Sequence, residues 1–364
     1  MKVVVKVGTS SLTDEHGSID SSSVAALASE VAAIRASGHE AIVVSSGAIA
    51  AGLPALGWKA EDRPGDTRTL QAVSAVGQAH LLGEWNDAFA THGLTTGQVL
   101  LAPLDFGNRA QYLQARSTLE RLAELGVVPV VNENDAIADD EIRFGDNDRI
   151  AALVAQLVGA GLLVLLTDTA GLMDADPRLK PEASLIEEIA EIDHELERVG
   201  TGAGTARGSG GMASKLAAAK MASWSGVRCL IAHARRPQVL QEAVAGASGV
   251  GTWVPAHSRK LNARKLWIAF ALPPKGRLVV DDGAAKAVTG GGRSLLAAGV
   301  TSVEGSFQPE DAVEVVTKSG LVIAKGLART DSETASAAAG KHSRELPDDV
   351  DELIHADALV VVAD

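Results

Sequence analysis

The chain has 364 residues, 46% of them apolar, 3% aromatic, and a formal charge of −13. That length is long for one core, so two domains are the natural expectation, and the negative charge speaks against a general electrostatic nucleic-acid binder. A single cysteine, Cys229, allows neither an internal disulfide nor a thiol pair for zinc, which makes a reducing cytosol the expected setting.

The N-terminal run Met1–Gly8 is broken by Lys6 and is too short for a secretory core of about 7–15 apolar residues. No stretch approaches the roughly 20 apolar residues that span a bilayer, so a soluble intracellular protein is expected. Residues 3–7 read as a buried strand leading to a small-residue loop, Gly8-Thr9-Ser10-Ser11. Ser23 to Ser37 reads as a helix, with Val24, Leu27, Val31 and Ile34 on one face; Asp20 or one of Ser21–Ser23 caps it and Gly38 closes it.

Ala41–Val44 is the next strand and runs into Ser45-Ser46-Gly47-Ala48. A long helix over Thr67–Ala90, a strand over Thr96–Leu101 and a helix over Gln111–Leu125 follow, then a β-branched strand over Val127–Val131. A helix over Arg149–Val158 and a strand over Leu162–Leu166, buried on both faces, complete the pattern. Strand and helix alternate so regularly that right-handed crossovers and a parallel sheet covered on both faces are expected. Cys229 lies in Val227-Arg228-Cys229-Leu230-Ile231 and reads as a small apolar strand residue.

Beyond about residue 255 the pattern changes. His257 to Lys265 is a basic stretch that suits a linker. From Gly276 short β runs appear at Arg277–Val280, Val300–Glu304, Ala312–Val316 and Leu321–Ile323, broken by Gly290-Gly291-Gly292, Gly299 and Gly320. That is the pattern of a small β-rich module. The expected division is 1–256, a linker over 257–275, and 276–364.

Chemistry concentrates in loops that follow strands. Lys6-Val7-Gly8-Thr9-Ser10 places an ammonium beside bare backbone, and Ser45-Ser46-Gly47-Ala48 offers similar backbone with hydroxyls. Arg207-Gly208-Ser209-Gly210-Gly211-Met212-Ala213-Ser214-Lys215 is a further glycine loop that lacks the GxxxxGK[ST] spacing of a Walker motif. Each is as readily a turn when taken singly. Three together, two of them with a lysine, point to a polyphosphate site.

The stretch from Asn132 to Asp148 is rich in carboxylates and amides, which suits either a solvated hairpin or an amino acid, whose ammonium and carboxylate need such partners. Leu166-Thr167-Asp168-Thr169-Ala170-Gly171-Leu172 fits a nucleoside-contacting turn or a plain hairpin equally well. The histidines show no i, i+4 pair or HExxH arrangement, and Asp139-Asp140-Glu141 reads as a solvated loop and not as a dedicated metal site.

Taken in order, these loops resemble the amino acid kinase family, in the branch that phosphorylates the side chain of glutamate. The signal is carried by Val5-Lys6-Val7-Gly8-Thr9-Ser10, Ser45-Ser46-Gly47-Ala48-Ile49, Val131-Asn132-Glu133-Asn134-Asp135, Phe144-Gly145-Asp146-Asn147-Asp148, Thr167-Asp168-Thr169-Ala170-Gly171-Leu172 and Gly208–Lys215. The tail is similar to that branch's PUA module, through Arg277–Ala284, Ser294–Val300 and Gly305-Ser306-Phe307.

The resemblance implies a three-layer αβα sandwich with a mainly parallel sheet, followed by the small β-rich module. It implies ATP with Mg2+, L-glutamate as acceptor, L-glutamyl 5-phosphate as product, and a place at the first step of proline biosynthesis. Lys6, Lys215 and Asp148 carry over as catalytic residues, with Asp148 pairing the lysines or capping the helix that starts near Arg149. Ser46, Asp135 and Asn147 carry over as glutamate contacts. Lys6, Gly8, Thr167, Asp168, Ser209, Gly210, Gly211, Met212, Ala213, Ser214 and Lys215 carry over as nucleotide contacts, Ser209 standing where the family often has threonine. No protein metal ligand is implied. Proline as feedback inhibitor, homo-oligomers (dimer or tetramer) and a cytoplasmic location are implied too.

The rival reading is an RNA-binding or regulatory protein using the tail. From residue 276 onward there are 8 Lys and Arg against 15 Asp and Glu, a formal −7, which is a poor footprint for RNA.

Overall fold

The computed structural model describes residues 1–137, 147–175, 180, 182–190, 192, 211–258, 260–347 and 350–362. Two compact units divide the chain, residues 1–260 and 261–364.

The first unit is built on a seven-stranded sheet in the order β3-β4-β2-β1-β5-β6-β7. Its strands are β1 (Lys2–Val7), β2 (Glu40–Ser45), β3 (Thr96–Leu101), β4 (Val128–Glu133), β5 (Leu162–Thr167), β6 (Arg228–His233) and β7 (Gly251–Val254). All neighbours pair in parallel except β6 and β7. The sequence pattern leads to this arrangement directly: β1, β4 and β5 are runs of Val and Leu buried along nearly their whole length, as strands covered on both faces must be.

The covering helices are α1 (Thr9–Leu12), α2 (Ser21–Ala36), α3 (Ala48–Ala55), α4 (Thr67–Ala90), α5 (Arg109–Glu124), α6 (Asn147–Leu157), α7 (Met212–Trp224) and α8 (Val239–Ala245). Helix α2 starts where Asp20 accepts from the backbone N–H of Ser22 and stops before Gly38, whose φ of +83° suits only glycine well. Val24, Leu27, Val31 and Ile34 form its buried stripe, as the spacing predicts.

Alternation along β1 sorts the layers. Val3, Val5 and Val7 join one core with α2, α3, α4 and α8, in which Trp85 and Phe89 stack at 5.7 Å between centroids. Val4 and Lys6 therefore project to the opposite face, where α6 and α7 pack. This is the expected αβα sandwich.

Helices α3 and α4 cross at backbone contact. A Cβ on Gly77 would lie 1.7 Å from the Ala48 carbonyl oxygen, and one on Gly52 2.1 Å from that of Val73. Only glycine fits either place.

Strand and helix limits fall within a few residues of those read from the pattern, with one consequential difference. Helix α6 begins at Asn147, not near Arg149. Asp148 thus sits inside the first helical turn, and the capping role considered for it is corrected. There its negative charge complements the helix dipole. Helices α1, α3 and α8 and the antiparallel strand β7 were not anticipated: Thr9–Ser11 reads as loop, and the others are short. Cys229 is fully buried in β6, and burial, with the charge of Asp148 beyond it, pushes its thiol up.

The second unit, taken by itself, holds a five-stranded sheet formed by Val300–Gly305, Gly276–Val280, Ala312–Thr317, Val322–Leu327 and Leu359–Val361, in that order. Leu278, Val280, Phe307, Val313, Val315 and Ile323 fill its core. The segment expected to link the units contains a short helix, Ala263–Leu266, and a further helix covers Ser332–Ala338. No helix among the described residues is long and apolar enough to cross a membrane.

Candidate active site

Parallel strands deliver their carboxyl ends to one edge. Val7, Ser45, Glu133, Thr167 and His233 all end there, and the order of connections reverses between β1 and β5, the position where open α/β sheets form a ligand crevice.

The centre of this edge is Asp148. Lys6 Nζ from β1 lies 2.7 Å from its Oδ1, and Lys215 Nζ from α7 lies 3.3 Å from its Oδ2. Ser214 Oγ donates to Oδ2 at 2.7 Å. The three charged side chains are at most 5% exposed. Burial alone would raise the Asp148 carboxyl, but the two ammonium groups and the Ser214 hydroxyl overcome it and hold it well below the usual carboxylate range. Lys6 and Lys215, 209 positions apart on different elements, thus share one carboxylate.

Bare backbone surrounds this cluster. A Cβ on Gly8 would stand 3.5 Å from Lys6 Nζ and 3.8 Å from the Leu166 carbonyl oxygen, so main chain and ammonium share one small space. Helix α7 starts after Gly211, which has no side chain to cap it, and helix N-termini favour an anion. At the end of β5, Thr167 Oγ1 donates to Asp168 Oδ1 at 3.2 Å. Ser209 and Gly210 lie outside the described residues, as do Gly145, Asp146 and residues 139–141.

The third group lies beyond β2 and β4. Ser46 follows β2, its N–H bonded to the Val7 carbonyl at 3.1 Å, and Gly47 with φ +108° turns the chain into α3. Trp85 Nε1 donates to Ser45 Oγ at 2.9 Å, and that hydroxyl donates to the Ser46 carbonyl at 2.9 Å. Asn147 Oδ1 accepts from the Glu133 N–H at 3.2 Å, tying α6 to β4.

Asp135 is buried and accepts from Ser74 Oγ at 2.6 Å through Oδ2, while Oδ1 is buried with no hydrogen-bond partner among the described residues. Burial raises its carboxyl above the usual range, partly offset by the Ser74 bond and the charge of Arg63. Ser74 and Gln78 of α4, both supporting this corner, escaped the sequence reading. They belong to no motif, and a serine and a glutamine among the many polar residues of α4 give no local signal.

A parallel sheet edge that carries two buried lysines on a shared carboxylate suits a phosphotransferase of the αβα class. Residues 1–233 match the amino acid kinase family and residues 276–349 the PUA domain. The chain belongs to the amino acid kinase family. It is 45% identical over 365 residues to the glutamate 5-kinase of Methylobacillus flagellatus, covering 99% of this chain and 97% of that one. It is 47% identical over 362 residues to the glutamate 5-kinase of Nocardia farcinica, covering 99% and 96%. Among solved structures, carbamate kinase from Giardia lamblia bound to AMP-PNP superposes with a TM-score of 0.50 at 18% identity, over 70% of this chain and 98% of that one, a likeness of fold.

Proposed function

We propose that this chain transfers the γ-phosphoryl group of ATP to the side-chain carboxylate of L-glutamate, giving L-glutamyl 5-phosphate, the opening step of proline biosynthesis. The observation that carries the reading is the convergence of Lys6 and Lys215 on Asp148.

The chemistry matches that observation. A glutamate side chain has a pKa near about 4.3, so the nucleophile is ionised at neutral pH and needs no general base. One carboxylate oxygen forms a bond to the γ-phosphorus while the bond from that phosphorus to the β,γ-bridging oxygen breaks, and ADP leaves with the electron pair. The obstacle is bringing two anions together. Lys6 and Lys215 supply positive charge where it develops, and Asp148 fixes their ammonium groups in place. Gly8 and the N–H groups at Gly211, Met212, Ala213 and Ser214 hold phosphate oxygens, while Thr167, Asp168, Ser209 and Gly210 complete the nucleotide contacts.

Mg2+ fits this site as a companion of ATP. Asp148 is committed to the lysines, and among the described residues no three His, Cys, Asp or Glu side chains gather to hold a metal. Bound with ATP, the ion would supply further charge neutralisation beside Lys6 and Lys215.

Ser46, Asp135 and Asn147 receive the glutamate. The partnerless oxygen of Asp135 suits an α-ammonium, which favours a free amino acid over an N-acylated one. Proline carries an ammonium and a carboxylate as well, which supports its place as a feedback inhibitor competing at the same corner. The reading includes a kinase domain at 1–256, a linker at 257–275, a PUA-like domain at 276–364, assembly into homo-oligomers and a cytoplasmic location.

The test is hydroxamate trapping with ATP and Mg2+, since hydroxylamine captures an acyl phosphate. L-Glutamate gives the hydroxamate, and L-aspartate and N-acetyl-L-glutamate give little. A product with either of those acids and none with L-glutamate overturns the assignment.

A further inference from the structure

Helix α4 places Ser74 and Gln78 one turn apart on the face that meets the end of β4. Gln78 is a local hub: its Nε2 donates to the Glu133 carbonyl at 3.2 Å, and its Oε1 accepts from Asn132 Nδ2 and Gln98 Nε2, each at 3.2 Å. It fixes the main chain just before Asp135. Ser74 is fully buried and gives its proton to Asp135 Oδ2 at 2.6 Å. A carboxylate held by one oxygen has a set orientation, and the other oxygen of Asp135 has no donor among the described residues.

We propose that Ser74 is a positioning residue for the acceptor's α-ammonium: its hydroxyl orients Asp135 so that Oδ1 keeps its acceptor capacity for that group. The proposal rests on the glutamate reading above and adds the helix that sets the site's affinity for a free amino acid. A hydroxyl bonded to one oxygen also favours the charged carboxylate, the form an ammonium needs, against the burial that disfavours it. Arg63, at the end of the turn Ala60–Asp62, acts on Asp135 in the same sense. The neighbouring elements β4 and α6 carry Glu133 and the lysine-paired Asp148.

The experiment measures KM and kcat for L-glutamate and KM for ATP, from pH 5.5 to 8.5, in wild type, Ser74→Ala and Ser74→Cys, with thermal melting alongside. Ser74→Ala raises KM for glutamate about tenfold or more, the loss of one hydrogen bond to a charged group, and leaves KM for ATP within about twofold. The acid limb of kcat/KM for glutamate moves to higher pH, because the carboxylate loses a group that favoured its charged form. Ser74→Cys, which keeps the shape with a weaker donor, falls between. A merely structural serine would lower the melting temperature without moving the acid limb or separating the two KM values, and that result overturns the proposal. Wild type inactive on glutamate overturns the functional reading and this proposal with it, whereas active wild type with a silent Ser74 overturns this proposal alone.

Discussion

Lys6 and Asp148 meet at 2.7 Å from different elements, with side chains only 5% and 2% exposed. An ion pair so deeply buried is a weak source of net stability, yet breaking it from one side is severe, because the remaining charge is left in a poor solvent. Asp148→Asn therefore destabilises the protein by about 3–5 kcal/mol and lowers kcat by about a hundredfold or more. The pH dependence follows from its depressed carboxyl. The stabilising contribution is complete above the range in which an unfolded aspartate titrates, and is lost as pH falls below that range toward the folded value. Denaturant melts at acid pH check this: the acid loss of stability is shallower in Asp148→Asn, and equal slopes would refute it.

Lys215→Ala leaves Lys6 to balance Asp148, so the fold persists with a moderate loss of melting temperature, its buried stem being removed. Turnover falls at least about tenfold, since placed charge is lost where the phosphoryl group travels. Steady-state kinetics at saturating ATP and glutamate decide the matter, and an unchanged kcat removes Lys215 from the catalytic set.

Asp135 behaves in the opposite sense to Asp148. Its carboxyl is raised by burial, so charging it costs the native state free energy at neutral pH, a cost relieved as pH falls through the folded value. Asp135→Asn consequently raises the melting temperature of the ligand-free protein at neutral pH while raising KM for glutamate about a hundredfold, as expected for a lost charge-assisted contact. In wild type that KM climbs on acidification from a higher pH than an ordinary aspartate would give. Calorimetry beside kinetics tests both halves, and a destabilised variant with normal KM would contradict them.

Cys229 lies fully buried in β6 with its thiol pushed up, so it is a poor nucleophile in the folded protein. A thiol reagent at pH 8 labels the native chain negligibly and the denatured chain stoichiometrically. Rapid native labelling would show the strand to be open.

Gly77→Ala brings a methyl group to within 1.7 Å of the Ala48 carbonyl oxygen, inside any permitted contact. Separating α3 from α4 to admit it costs about 3 kcal/mol or more, by the usual scale of overpacking. Circular dichroism melts of Gly77→Ala against Gly83→Ala, where a Cβ meets open space within the same helix, isolate the effect. A similar melting temperature in both would discredit the interlock.

The sheet and its covering helices were legible because their signals are local. Val3–Val5 and Leu162–Leu166 are apolar without alternation, Ser21–Ala36 carries a 3.6-residue stripe, and Thr67–Ala90 keeps its period over 24 residues. Sequence motifs also singled out Lys6, Asp135, Asp148 and Lys215, because a charge inside an apolar run, in a polar stretch after a strand or at the end of a glycine loop is conspicuous. Pairings were not legible. That one carboxylate holds both lysines depends on three elements meeting, and that Asp135 leans on Ser74 depends on a helix 61 positions earlier in the chain. Helix α3 escaped notice because Ala48–Ala55 contains a glycine and a proline, Gly52 and Pro54, which read locally as loop. Its stability comes from resting on α4.

That resting place has a further consequence. Helix α3 grows directly out of Ser46 and Gly47, while α4 carries Ser74, and Gly52 and Gly77 let the two helices touch through main chain. At the acceptor corner proposed above, the α3–α4 junction is then made of peptide planes that no rotamer change can widen. Trimming side chains at this corner to admit a longer or bulkier acid is a poor route to new specificity; remodelling the residues 56–66 that join the two helices is the better one.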